Sequence, residues 1–532
     1  MENLLPWGIR AVTLPGGAEN GRFHPRLREW GGAVIGGPGN MDIKHILLLG
    51  LVLLTAASVL TDVNLPSHRR RYPVLHWVTD DNPARVVELA PLKNWLRRHR
   101  YPMFTVHLDF ANDDMSKFVI QGVSGDADTL VDTFDDDLDY LHDCNLLYNL
   151  TPDAKKMGFD LSHTYPAVKA TVVRNGRQYL YPTNVNVLDY WVNKAAFAKY
   201  HQPPPPRTWT FAEFQRIGRA FVRAANPPGR RPKVFFTNSV DTRIMRRSLG
   251  LSAFNETLTR CTLADPRYVR VLRLMYRWTF VDHLLPTPAE EASFATHPGY
   301  GGPDFQMFNN GQFAMLYTGR WMLIQLRKFY KTTGPVPLAV CEPPYGNFPN
   351  ALLFTRATGI YIGSPRKKLA EYFLKYLTSR AYNMQIIRDG DAEPPNPVYA
   401  RSRRFLDPPQ YPNEWGCTAV EVRAIQTIAI PRAYSPFVLP WTVSRIMRTD
   451  AEAGFMAGIY TARQAASLAA DRINRHIIHN IRHSQRLRRL YDKLRRRQKI
   501  IDCLRKEKRK VPLRLITNPF YRRYYVAKGW AR

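Results

Sequence analysis

The hydrophobic and polar positions change their spacing several times along the chain, and each change marks an element. Ile46 to Leu60 is an uninterrupted apolar run without a charge. Pro73 to Thr79 is a shorter apolar run that ends in Asp80, Asp81, Asn82 and Pro83, which predicts a buried strand, a polar loop and a helix opening near Pro83. Val86, Val87, Leu89, Leu92, Trp95 and Leu96 then recur at helical spacing, and Phe104 to Phe110 reads as a second strand. Strand, helix, strand is the opening of an α/β layer architecture. A helix from Met115 to Gln121, a turn at Val123 to Asp126 and a third strand at Thr129 to Val131 continue it. Further on, Gln178 to Thr183 predicts a strand running into Asn184, and Pro203 to Pro206 a stiff extended connector. Phe211 to Ala225 is amphipathic, with Phe211, Phe214, Ile217, Gly218 and Phe221 on one face. Tyr268 to Trp278, Phe313 to Phe329 and Leu369 to Leu377 carry helical patterns, and Ile360 to Ile362 ends a strand.

The first apolar run is short for a spanning helix, which needs about 20 apolar residues. It suits the central segment of a secretory signal, with Lys44 and His45 before it and Ala56, Ala57 and Ser58 as a cleavage candidate. An uncleaved anchor and a buried helix stay open as alternatives. Residues 1–40 hold nine glycines and no strong periodicity, so they are expected to be a non-native or disordered extension, with Met41 as the biological start and 41–66 as signal peptide or anchor.

Composition adds a sharp asymmetry. The 532 residues are 45% hydrophobic and 23% charged, which is globular, and carry a net charge of +32. Arg472 to Arg532 alone holds 21 Lys and Arg against 3 acids, whereas Pro73 to Asp471 holds 47 against 36. A moderately basic body thus carries a very basic tail, and the surface should seek something anionic. The cysteines Cys144, Cys261, Cys341, Cys417 and Cys503 are scattered, with no C-x2-C pair, so a zinc site or a disulfide-dense scaffold is not expected.

Chemistry is harder to find. There is no G-x-S-x-G, H-E-x-x-H, Walker loop or G-x-G-x-x-G motif. Asp135, Asp136, Asp137 and Asp139 lack the glycine and terminal glutamate of a calcium loop and read as the acidic first turn of a helix. No cofactor and no metal is predicted.

An ordered series of motifs carries a resemblance. It comprises Leu75, His76 and Trp77 leading to Asp81 and Asn82; Gln121, Gly125 and Asp128, with Ala127 where a proline is usual; and Tyr181, Pro182, Asn193, Lys194 and Phe197. It continues with Pro206, Thr208, Trp209, Glu213 and Phe214; Phe308, Gly311, Ala314, Met315, Gly319 and Trp321; Gly359, Ile360, Ser364, Ala370, Phe373, Leu377 and Ser379; and Thr461, Ala465, Ile473, Asn474 and Ile477. From Tyr72 to Ile477 the chain resembles the extracellular solute-binding proteins of carbohydrate ABC importers, the maltodextrin- and glycerol-phosphate-binding type.

The resemblance implies an α/β fold of two lobes, periplasmic-binding-protein-like (type II), with crossing hinge strands. Lobe 1 would be 72–185 and 353–400, lobe 2 186–352 and 401–475, with 476–532 a basic helical tail outside the family pattern. It implies a binder rather than an enzyme, an extracytoplasmic location, a carbohydrate ligand, ABC permease subunits as partners and a monomer. Sugars need paired donors and acceptors for hydroxyls and flat aromatic partners for ring faces. By motif position the expected ligand contacts are Asp81, Asn82, Ser124, Asp128, Asp132, Asp135 and Asn186, with Trp321 and the looser Trp441 for stacking and Thr358 and Gly359 for backbone N–H groups. Trp209 reads as packing. A protein acting on nucleic acid or a membrane surface through its tail, and a carbohydrate-active enzyme, are the alternatives.

In the tail, Leu487, Leu490, Leu494, Ile501 and Leu504 follow a heptad-like spacing, interrupted by Arg497, on an otherwise Lys/Arg helix. Packing back on the body, lying on an anionic membrane and binding nucleic acid compete. The membrane or the transporter surface is the favoured expectation, and nucleic acid is not the expected partner.

Overall fold

The computed structural model describes residues 72–110, 115–125, 129–134, 137–229, 233–294 and 300–532. The expected extension at 1–40 and the signal or anchor at 41–66 lie outside the described residues.

The strands used below are β1 (Val74–Val78), β2 (Thr105–Asp109), β3 (Leu130–Phe134), β4 (Leu180–Asn193), β5 (Phe235–Thr237), β6 (Phe313–Thr318), β7 (Leu338–Cys341), β8 (Ala351–Ile360) and β9 (Ala429–Ile430). They form one nine-stranded sheet in the order β2-β1-β3-β8-β4-β6-β5, with β9 paired to β8 and β7 paired to β4. The helices needed are α1 (Ala84–Glu88), α2 (Phe211–Ala225), α3 (Gly302–Asn309), α4 (Met322–Thr333), α5 (Lys367–Leu377), α6 (Cys417–Thr427), α7 (Ala462–His483), α8 (Gln485–Lys506) and α9 (Pro519–Ala527).

The sheet has two halves, and β4 belongs to both. Its first part, Leu180 to Leu188, pairs antiparallel with β8, and its second part, Asp189 to Asn193, pairs with β6 and β7. All 14 of its residues are buried. On the β1 side, Leu75, Trp77, Leu96 and, from α5, Phe373 and Tyr376 make one core. On the β5 side, Phe214, Phe236, Trp278 and Met315 make another. Each such side chain contributes about 1.5–3 kcal/mol by leaving water. Two lobes share a continuous strand, and chain crossings join them.

Several predicted elements appear with shifted ends, and three differ in kind or reach. The helix read from Val86 to Leu96 is two, Ala84–Glu88 and Leu92–Arg98, parted before Pro91, and Val86 and Val87 are exposed. Phe211–Ala225 is α2 as the pattern predicts, opened by a capping box between Thr210 and Glu213. Phe313 to Phe329 is not one helix: Phe313–Thr318 is strand β6 and Met322–Thr333 is α4. All six residues of β6 are buried, so they show no alternation, and a continuous apolar run does not distinguish strand from helix. The strand read at Gln178 to Thr183 runs on to Asn193, because Asn184, Asn186 and Asp189 sit inside the sheet although their polarity reads as a loop.

The basic tail packs on the body. The break between α7 and α8 falls at Ser484, whose hydroxyl accepts from Leu487 N. The apolar face of α8 is used up on the body. Leu494 is buried in the core on the β5 side, while Ile501 and Leu504 are buried with Phe348, Ile430, Phe520 and Tyr525. Polar locks fix the rest. Asn518 caps α9 through Phe520 N and donates to Ser252 Oγ and the carbonyls of Phe254 and Asn255. Glu256, 3% exposed, accepts from Gln498, Arg505 and Tyr525. The five cysteines are free thiols.

Candidate functional site

The two lobes meet at several places, and the first is aromatic. β6 runs into Gly319, Arg320 and Trp321. The indole of Trp321 lies against Gly319 so closely that a Cβ there would stand 2.0 Å from the ring, which is why this position has no side chain. The ring centroid of Trp321 is 5.7 Å from that of Phe354 on β8, and Phe354 stacks on Phe134 at the end of β3 at 5.4 Å. All three rings are half-buried. The Arg432 guanidinium lies 5.5 Å above Phe354 and donates to Tyr434 Oη at 3.2 Å. Asn186 of β4 is the register partner of Phe354, and its buried Oδ1 has no hydrogen-bond partner among the described residues. A row of flat apolar faces edged by polar groups therefore runs from the end of β3 across β8 to Trp321 after β6.

The second meeting place is the edge of a buried ionic network that itself lies on the β1 side. Arg356 of β8 donates to Asp132 at 2.8 Å, Glu88 at 3.0 Å and Thr79 at 3.2 Å, and lies over the Trp77 ring. Arg85 of α1 donates to Asp80 at 2.6 Å, Glu88 at 2.6 Å and Asp391 at 3.0 Å. Burial pushes the Asp132 and Glu88 carboxyls up, against the pull of the arginines, whereas at Asp80 burial is outweighed by the pull of Arg85 and Arg356, which holds the carboxyl below its ordinary range. Asn82 joins the lobes: its Nδ2 donates to Asp391 at 2.6 Å and to the hydroxyl of Tyr300, just before α3, at 3.1 Å.

The residues expected from sequence fall into different surroundings. Asn82, Asp132 and Thr358 are brought together in the ionic network, where Asp132 also accepts from Trp77, Thr79 and Thr358. Gly359 is inside the sheet, paired with Leu180 and Val131. Asn186 and Trp321 join at the aromatic row. Asp81 and Ser124 are exposed, and the Ser124 hydroxyl donates to Gln121 O. Trp441 is 60% exposed, and Trp209 is buried with its Nε1 donating to Glu342 O. Asp128 and Asp135 lie outside the described residues. Sequence reading missed Phe134, Phe354, Arg356, Arg432 and Tyr300. Phe354 sits in an apolar strand run and Arg356 two residues on, so only strand pairing sets them beside Trp321 and Asp132. Among the described residues, no group of three or more His, Cys, Asp or Glu could hold a metal ion.

The third meeting place is at the strand crossing. Asp189, where β4 changes partners, is fully buried, as are Glu393 beside β4 and Glu421 of α6. Among the described residues no N–H or hydroxyl donor of another residue reaches their carboxyl oxygens, while Glu393 and Glu421 interact with each other. Ionised, the three would be very costly, so burial pushes Glu393 up to about 7 against the pull of Arg320, and lifts Glu421 and Asp189 well above the usual carboxylate range. The folded protein then holds protons that the unfolded chain releases above about pH 4.5, so stability is greatest on the acid side and falls as the pH rises toward 7. Thermal melts between pH 5 and 8 are expected to show Tm falling as the pH rises. Glu393→Gln should flatten that slope; an unchanged slope would sink the assignment.

Solved structures share this architecture. An ABC substrate-binding protein of Listeria monocytogenes, in complex with cycloalternan, is 20% identical with a TM-score of 0.63, over 76% of this chain and 98% of that one. An ABC transporter solute-binding protein of Thermotoga lettingae, bound with alpha-D-tagatose, is 16% identical with a TM-score of 0.63, over 76% and 100%. Maltose-bound MalE3 of T. maritima is 16% identical with a TM-score of 0.60, over 75% and 98%. At these identities the likeness establishes the fold. No curated protein sequence matches the chain. The family profile described as bacterial extracellular solute-binding protein matches residues 105–384, more than half of the sequence. With two lobes, a strand shared between them and this match, the chain belongs to the bacterial extracellular solute-binding proteins.

Proposed function

We propose that this protein captures a carbohydrate between its lobes, outside the cytoplasmic membrane, and hands it to an ABC permease without chemical change. The observation that carries the reading is the row Trp321, Phe354 and Phe134, edged by Arg432, Tyr434 and the unpartnered Oδ1 of Asn186. Sugar rings offer an apolar face to such rings and hydroxyls to such edges. Ligand contacts to both lobes favour the closed arrangement over the open one, which is what a permease could sense. The ligands carried by the similar structures, cycloalternan, alpha-D-tagatose and maltose, set the first panel to try. Lobe 1 is proposed as 72–185 with 353–400, lobe 2 as 186–352 with 401–475, and a secreted or anchored monomer as the working form.

Titration calorimetry of the purified chain against maltose, maltotriose, cyclic glucans and free hexoses tests this. One ligand class is expected to bind at one site with Kd of about 1 μM, near −8 kcal/mol, and to be recovered intact. Cleaved product would support an enzyme instead, and no binding across the panel would remove the carbohydrate reading.

A further inference from the structure

The docked tail leaves one surface without a role in the cleft. Lys508, Arg509, Lys510 and Arg514 follow α8, and Lys528 and Arg532 follow α9; all six are exposed. Backbone bonds hold the two segments side by side: Val511 N donates to Trp530 O at 2.8 Å, Arg532 N to Val511 O at 3.1 Å and Leu513 N to Arg532 O at 3.2 Å. Among the described residues, Arg509 is the one of these six bases with an acidic partner, Glu507 at 2.9 Å. Among them stands Trp530, 50% exposed, braced edge-on by Tyr524 and Tyr525, with Val526 57% exposed on the adjoining helix end. The patch is fixed to lobe 2 through Glu256 and Asn518.

We propose that this patch docks the protein on an anionic phospholipid surface. Its chemistry matches a bilayer interface: clustered Lys and Arg gain from anionic headgroups, and a half-exposed Trp settles at headgroup level. The tail does not act as an amphipathic helix lying in the membrane, because the apolar face of α8 is buried against the body. Single-stranded nucleic acid fits less well. Grooves that bind it offer successive aromatic platforms, and this patch offers one exposed aromatic ring. Because the patch is held by backbone bonds and buried locks, docking orders little chain, and it sets lobe 2 toward the bilayer in a fixed attitude.

Co-sedimentation of the full chain with large vesicles tests the proposal, comparing neutral lipid with lipid containing about 30% anionic headgroups. The apolar run Ile46 to Leu60 is shared by parent and variants, so the difference between them on the same anionic vesicles, and the salt-released fraction, report on the patch. Anionic vesicles are expected to bind the chain, and added salt to release it. Reversing three charges, Lys510→Glu with Arg514→Glu and Arg532→Glu, should weaken binding by about a hundredfold or more. Trp530→Ala should weaken it about tenfold, and Arg97→Glu with Arg98→Glu on lobe 1 should leave it unchanged. The salt response of the unaltered chain decides the matter if the triple variant does not fold. Binding to anionic vesicles that neither salt nor the charge reversals weaken, no binding, or tighter capture of an RNA oligomer than of vesicles would overturn it.

Discussion

Replacing Arg356 by alanine is expected to lower folding stability by about 3–5 kcal/mol, the cost of breaking a buried ion pair from one side. Arg356 is 1% exposed and is the group that holds Asp132 and Glu88, both fully buried. Removing the guanidinium leaves two carboxyls with less compensating charge in a site sealed from water, and also a space beside Trp77. The loss should shrink when Asp132→Asn is added, because a neutral amide needs no counter-charge. Denaturant unfolding of the two variants beside the parent measures this. A loss under about 1 kcal/mol for Arg356→Ala would mean that water enters the network and that its charges are screened.

Replacing Trp321 by alanine should weaken carbohydrate binding by about 10–100-fold while leaving the fold in place. The indole is half-buried, so truncation removes a face that is available to a ligand as well as a contact with Phe354. Phe354→Ala should weaken binding by a similar factor, and the double variant by less than the product, since the two rings touch. Calorimetry on whichever panel sugar binds supplies the number. Unchanged affinity in both single variants would show that the ligand sits elsewhere, and would sink the aromatic row as the binding surface without touching the family assignment.

The contrast between Asp132 and Trp321 shows how far sequence reaches. Motif position sends both to the cleft. Trp321 stands where a ring could serve, because Gly319 makes room for it. Asp132 is enclosed by Trp77, Thr79, Arg356 and Thr358, from segments far away in the chain. A polar residue at a strand end looks the same in sequence whether it faces solvent, a ligand or an arginine 224 positions away. The tail repeats the lesson. Its heptad-like spacing is legible and becomes α8, but the same spacing would serve a membrane, a nucleic-acid groove or the body equally well, and Phe348 and Ile430 supply the partner.

Sequence by itself determined most of the local elements, the order of motifs that mark the family and the concentration of charge in the last residues, because periodicity, capping and composition act over a few positions. Tertiary structure alone decided which polar groups are consumed inside, that β4 serves both lobes, and that the segment of Trp530 lies beside the basic segment after α8, because each depends on groups meeting from segments far apart in the chain.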